Sequence, residues 1–262
     1  MIKILFSLVL LCGFMGEAMA TPYDENIETH DIKNDQKTII LKNLDFKTVM
    51  MAFYQKDIQF VKIPELEHEK IQYVGVENAP DEQAVKDNGV LIFSPTQTYQ
   101  NPNNETRYLL TIAKFAISGL NSPRVEMGKF QFSETTIYIF KKNENGQFQL
   151  VSENSSSLIN DDFLYLPYSS EKIIENIKSI GPKIKAYVEE NEYSQEGYSS
   201  TKLRIIPFND QPKIVSLEVA EIANNNQATV NEKVYSKVGK YQFLKSVHDG
   251  LYDIEIQYSG TQ

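Results

Sequence analysis

RYLLTIAKFAI, residues 107–117, is the stretch on which the fold class turns. Its length and apolar content suit a buried strand or a short helix, and periodicity does not separate the two over so few residues. The segments downstream decide. Residues 138–151, YIFKKNENGQFQLV, hold two apolar runs around an Asn-Glu-Asn-Gly turn. A three-residue loop of Glu144-Asn145-Gly146, with Gly146 left-handed, sets Phe140 opposite Leu150 and Ile139 opposite Val151. A two-residue Asn-Gly loop would set Lys141 opposite Leu150. The first register matches apolar to apolar. The same residues make a poor calcium loop, because alternate oxygen ligands and a distant bidentate glutamate are missing and Lys141 and Lys142 flank the turn. A hairpin this close after 107–117 makes that segment a strand.

A second hairpin is expected at 240–258, around Asp249-Gly250, a strong signal for a two-residue type I′ turn. Counting outward, Val247 faces Tyr252, Lys245 faces Ile254, Phe243 faces Ile256 and Tyr241 faces Tyr258. That side is apolar. The other side carries His248 with Leu251, Ser246 with Asp253, Leu244 with Glu255 and Gln242 with Gln257, and should meet water.

Working toward the N-terminus, strands are expected at 38–41, 58–63, 71–76 and 89–93, and residues 94–106, rich in turn formers, are expected to form an exposed loop. Phe46, Val49, Met50, Phe53 and Tyr54 recur at helical spacing and predict a helix near 44–56. Ile173, Ile177, Ile180, Ile184 and Val188 predict a second helix near 169–190, kinked at Gly181-Pro182, with its isoleucines buried against one sheet face. The fold class is therefore α+β, mainly antiparallel sheet.

The chain begins MIKILFSLVLLCGFMGEAMATPYD. One lysine, an apolar run and Ala18-Met19-Ala20 predict a signal peptide over residues 1–20, cleaved after Ala20, and hence export. A lipid anchor on Cys12 is the alternative, but Leu11 is not the small residue that such processing wants. Residues 21–37 read as a flexible polar arm, and 38–262 as one globular domain with a possible subdivision near 94–106. Cys12 is the one cysteine among 262 residues, so cleavage leaves neither disulfides nor thiolate chemistry. The formal net charge is −9, and losing Lys3 with Glu17 does not alter it. That balance argues against nucleic acid and favours a basic protein partner. Nothing after the first segment is apolar enough to enter a membrane.

Catalytic patterns are sparse. His30, His68 and His248 form no two-histidine helical spacing, and Glu67-His68-Glu69 reads as a solvated charged loop. Ser246 and His248 are too close along the chain for a triad. Asp161-Asp162 would point to opposite faces of a strand and could not flank one glycosidic bond. No catalytic, cofactor or metal residue is assigned. Tyr99, Tyr193 and Tyr198 lie in polar stretches and are the candidate anchors for a protein partner.

Residues 107–110, Lys114, 137–142, Gly146 and 148–152 together resemble a group of exported proteins of Gram-negative bacteria with no settled function. Members often carry a cysteine pair between the two segments, where this chain has Ser122-Pro123-Arg124-Val125. The resemblance covers about a fifth of the sequence and implies a periplasmic, β-rich protein, with no activity attached. The expectation is a protein-binding module, such as an inhibitor or immunity protein acting on an envelope-targeting enzyme. A carboxylate-based cell-wall hydrolase and an envelope assembly factor are the alternatives.

Overall fold

The computed structural model describes residues 2–4, 39–77, 88–118, 124–125, 134–154, 169–226 and 234–261. The expected signal peptide beyond residue 4, the arm at 21–37, His30 and Asp161-Asp162 lie outside them. The elements are β1 (Ile2–Ile4), β2 (Ile40–Leu41), α1 (Phe46–Tyr54), β3 (Ile58–Gln59), α2 (Pro64–His68), β4 (Tyr73–Glu77), β5 (Asn88–Gln100), β6 (Thr106–Ser118), β7 (Arg124–Val125), β8 (Glu134–Lys142) and β9 (Phe148–Glu153). Then come α3 (Ser170–Glu175), β10 (Ile177–Gly181), β11 (Ile184–Gln195), β12 (Tyr198–Phe208), β13 (Leu217–Asn225), β14 (Ser236–His248) and β15 (Leu251–Thr261). The fold is α+β and mainly antiparallel sheet, as expected.

Two sheets result. The first runs β2-β9-β8-β6-β5-β4-β3, with β7 beside β6, and the second runs β1-β15-β14-β13-β12-β11-β10. Residues 107–117 form the middle of β6, paired on both sides. Alternation along β5, β6 and β8 gives the first sheet two apolar faces. Leu91, Phe93, Leu110, Ile112, Tyr138 and Phe140 form one. It is covered by α1 through Val49, Met50 and Phe53, whose ring lies 4.4 Å from that of Tyr138. The helix starts where Asp45 accepts the Thr48 N–H at 2.7 Å, an N-cap that satisfies one orphan donor. The opposite face divides. Val90, Ile92 and Phe115 pack under Ile63 and Leu66 of α2 and its lead-in. Leu109, Ile137 and Ile139 pack against Ile173 of α3 and against Tyr187, Ile206 and Phe208 of the second sheet. The other face of the second sheet curls over its own core of Ile180, Ala186, Val188, Leu203, Ile205, Ile222, Ile254 and Ile256.

Several expectations need correction. The helix at 169–190 exists only as α3; from Ile177 the chain is strand. The isoleucine spacing fits a helix, but β-branched residues also fill a pleated surface well, and Gly181-Pro182 breaks a helical ladder. The isoleucines do not share one face: Ile173 and Ile177 join the inter-sheet core, while Ile180 and Ile184 join the core inside the second sheet. Residues 94–106 are not an exposed loop; β5 continues to Gln100 and pairs with β6 almost to the turn. The strand expected at 58–63 is two residues long, and Glu67-His68-Glu69, expected as a solvated charged loop, is exposed but forms the end of α2, which packs through buried Leu66.

The two expected hairpins are present with altered registers. Gly146 is left-handed (φ 74°) and Phe140 faces Leu150, but Ile139 faces Ser152, because a bulge at Val151 adds one residue to β9. At Asp249-Gly250 both φ values are positive (50° and 81°), and Val247 faces Tyr252. Farther out, Phe243 faces Ile254 and Tyr241 faces Ile256, not Ile256 and Tyr258. The irregularity between Phe243 and Val247 puts two extra residues in β14. A shift of two keeps the side-chain faces, so the apolar set still turns inward while the partners change.

Gly181 and Gly146 are glycines for different reasons. A Cβ on Gly181 would meet the Gly250 carbonyl oxygen at 2.2 Å, where β10 meets the β14–β15 turn; a Cβ on Gly146 would meet nothing within 4 Å. Gly181→Ala is expected to cost about 1–3 kcal/mol through overpacking. Gly146→Ala is expected to cost about 1–2 kcal/mol through its positive φ, recovered in part by Gly146→Asn. Urea denaturation of the three variants checks this.

Candidate functional site

Polar side chains converge where the hairpin tips of the first sheet meet the end of β12. The β5–β6 turn is organised by Asn101, whose Oδ1 accepts the N–H groups of Asn103 and Glu105, each at 2.9 Å. Its Nδ2 donates to Glu105 Oε2 at 2.9 Å. Asn104 takes the left-handed conformation (φ 60°) that closes the turn. Glu105 is thereby set beside Arg107, which is 4% exposed at the start of β6. Arg107 Nη2 donates to Glu105 at 2.7 Å, and Nη1 to the Thr106 carbonyl at 3.2 Å. Nε donates to both oxygens of Asp210 at 2.9 and 3.1 Å, and Nη2 also bonds Asp210. Asp210 sits just past β12 with φ 54°, so this ion pair ties one sheet to the other. Hydrogen bonds from Asn101 and Arg107 hold the Glu105 carboxyl below the usual range.

Beside this cluster is an open depression of about 580 Å³ between the β5–β6 and β8–β9 tips, lined by Glu105, Arg107, Tyr108, Lys141, Lys142 and Glu144. Its size suits a small ligand. Much of its charge is already engaged. Arg107 is shared by two carboxylates, and the Lys142 amine lies over the Tyr108 and Phe148 rings at 5.5 and 5.2 Å. A Glu105 carboxylate held ionised is an ion-pair partner and not a proton donor.

Three other polar groupings matter. Asp253 accepts from Ser246 at 2.5 Å and contacts His248 Nδ1 at 2.6 Å. A nucleophilic triad needs histidine between serine and acid. Here the acid is in the middle, and the His248 side chain is 47% exposed, so this is a surface brace across the β14–β15 hairpin. On the face of the second sheet that meets the first, Glu189 accepts from Tyr187 at 2.9 Å and from Arg204 at 3.1 Å. Desolvation raises the Glu189 carboxyl, against the pull of those two partners. Glu153, opposite Tyr138, is raised by burial alone, and its main chain bonds Pro212 and Ile214 across to the second sheet. Among the described residues no three His, Cys, Asp or Glu side chains are placed to hold a metal ion.

The three candidate tyrosines part company. Tyr99 is buried, its ring 5.8 Å from Phe208 in the inter-sheet core, and burial raises its hydroxyl well above the ordinary value. It is a packing residue and not an exposed anchor; the loop reading failed because β5 extends through it. Tyr193 and Tyr198 are each 41% exposed, on the β11–β12 hairpin. Tyr193 pairs with Ser200 and Gln195 with Tyr198, so both tyrosines lie on one face. Sequence reasoning placed both in polar stretches and not on paired strands. The signal for the hairpin was Gly197, which takes φ 88° after Glu196 at φ 50° in a two-residue turn. Also missed was Phe60, 96% exposed between β3 and α2.

Comparison with protein-family models, with curated proteins and with solved structures finds no match for this chain. Among the described residues, no helix is long and apolar enough to cross a membrane. The fold defines the class: a two-sheet antiparallel α+β protein, with two half-exposed tyrosines on its β11–β12 hairpin.

Two outcomes test the electrostatics. Arg107→Leu leaves Asp210 beside the core without its cation and is expected to cost on the order of 3 kcal/mol in chemical denaturation. Glu153 has a folded value above its ordinary 4.5, so between the two values the native state holds the proton that the unfolded chain has released. Stability then falls as pH rises through that window, and the penalty is complete above it. Glu153→Gln is expected to melt higher than the parent at pH 7.5 and level with it below about pH 4.5. A parent–variant gap that does not change with pH would contradict this.

Proposed function

We propose that this chain is an exported, periplasmic protein-binding module of the inhibitor or immunity kind, which presents the β11–β12 hairpin to a protein partner such as an envelope-targeting enzyme. The observation that carries the reading is the pair of half-exposed tyrosines on one face of that hairpin. Tyrosine gives a large contact area at low entropic cost and is enriched where interfaces concentrate their energy. The tight Glu196-Gly197 turn holds the two rings in place beforehand, which lowers the ordering cost of association.

Charge supports the choice of partner. The chain carries −9 overall, and Glu190, Glu192 and Glu196 stand on the same hairpin with no ion-pair partner among the described residues. A basic surface would be drawn to it, faster at low salt. The opening residues support export. A carboxylate-based hydrolase has no comparable support, since Glu105 in the depression is tied to Arg107 and Asn101.

The test is affinity capture from periplasmic extract at low salt with the wild-type chain and with the double variant Tyr193→Ser/Tyr198→Ser. One dominant basic partner is expected, bound at least about tenfold more weakly by the double variant, in the range of a hot-spot loss, with thermal unfolding of the variant unchanged. Recovery of no partner by the wild type at low salt would remove the reading.

A further inference from the structure

The outer edge of β11 is open beyond the reach of β10. β10 pairs with β11 only from Ile184 to Tyr187, whereas β11 pairs with β12 along its full length to Gln195. A two-residue turn makes Gln195 and Tyr198 the hydrogen-bonded closing pair. Alternation then directs the main-chain groups of residues 195, 193, 191 and 189 toward β12, and those of 194, 192, 190 and 188 away from it. The one bond at the start of the outer row agrees: the Val188 N–H donates to the Asn176 carbonyl at 3.2 Å, on the β10 side. Past that point the outward N–H and C=O groups of Glu190, Glu192 and Ser194 meet no strand among the described residues, and all three residues are exposed.

An unpaired strand edge is a template for another strand. Natural edges are guarded by charge, and here the guard has one sign. Glu190 and Glu192 sit on the open row, Glu196 at its end, and none has an ion-pair partner among the described residues. The two cations farther along the opposite strand are taken: Lys202 by Glu218 at 3.0 Å and Arg204 by Glu189 at 3.1 Å. Such an edge disfavours acidic strands, including a second copy of itself, and favours a basic one. Tyr193 lies on the same strand, within reach of side chains on an added strand.

We propose that the outer edge of β11 from Glu190 to Ser194 binds an extended basic segment of a partner protein by antiparallel strand addition. This rests on the hairpin being the partner-binding element and adds how the partner is held: the main chain supplies hydrogen bonds, the glutamates select lysine or arginine, and Tyr193 packs on the added strand.

The experiment uses the intact chain and a synthetic peptide of alternating lysine and valine, with two control peptides, one carrying glutamate for lysine and one N-methylated at alternate residues. Hydrogen exchange of the Glu190, Glu192 and Ser194 amides should slow at least about tenfold with the basic peptide and not with either control. Glu192→Pro removes an outward N–H while sparing the β12 ladder, and should weaken peptide binding at least about tenfold. Binding that leaves those three amides unprotected, equal binding of the N-methylated peptide, or no binding at low salt overturns the proposal. The captured partner separates the two readings. If the tyrosine double variant loses the partner and Glu192→Pro keeps it, the hairpin stands and strand addition falls. If neither variant loses it, both fall.

Discussion

The layer of Leu109, Ile137 and Ile139 against Tyr187, Ile206 and Phe208 is the contact on which the rest of the molecule depends. Each sheet has its other apolar face covered without help from its neighbour: α1 covers the first, and the second curls over itself. Only the shared layer requires both. Its three residues on the first sheet are fully buried, and each such side chain contributes roughly 1.5–3 kcal/mol by leaving water. Polar links sit around this layer and set its alignment more than its strength. Arg107 reaches Asp210, and the main chain of Glu153 bonds Pro212 and Ile214 in a short parallel bridge.

The buried and half-buried charges follow from that arrangement. Arg107 and Arg204 belong to strands flanking the layer, and each is met by a carboxylate close by. A buried pair of this kind returns little net stability, because desolvation offsets most of the attraction, but losing one partner is costly. The pairs therefore act mainly against misalignment: a slipped register would leave a guanidinium without its acid. The same clusters would attract a search for catalysis, yet their hydrogen bonds run within the cluster, and Asp253 between Ser246 and His248 stands in the place a reactive histidine would need.

Sequence reasoning went furthest where one face is buried and a turn residue is fixed. Residues 107–117, the Asp249-Gly250 turn, left-handed Gly146 and the helix capped by Asp45 were all legible, because period and turn chemistry point the same way there. It failed where two periods fit the same letters. Isoleucines at 173, 177, 180 and 184 satisfy a helical stripe, and nothing local reveals that two belong to one core and two to another. Registers beyond a bulge were likewise out of reach: the extra residues near Lys245 and at Val151 answer to sheet curvature, which is a property of the assembled sheet. Burial of Tyr99 was hidden for the same reason, since Phe208, its cover, comes from the other sheet. The candidate surface was half legible: Tyr193 and Tyr198 were singled out, but as loop residues.

Strand order follows chain order almost throughout. β3 to β6, then β8 and β9, lie side by side as they are made, and so do β10 to β15. Pairings between segments close in sequence form with little loop-closure entropy, so each meander can zip from turn to turn as the chain becomes available. The exceptions are β2, where Ile40 must find Gln149 after the intervening strands are in place, and β1, where Ile2 meets Ile256. The search is therefore short within each sheet, and the slow events are the closing of those edges and the docking of two preformed sheets. A chain built this way reaches its native pairing without covalent cross-links to hold intermediates, and its first cooperative opening is expected to be the separation of the sheets and not the loss of any one hairpin.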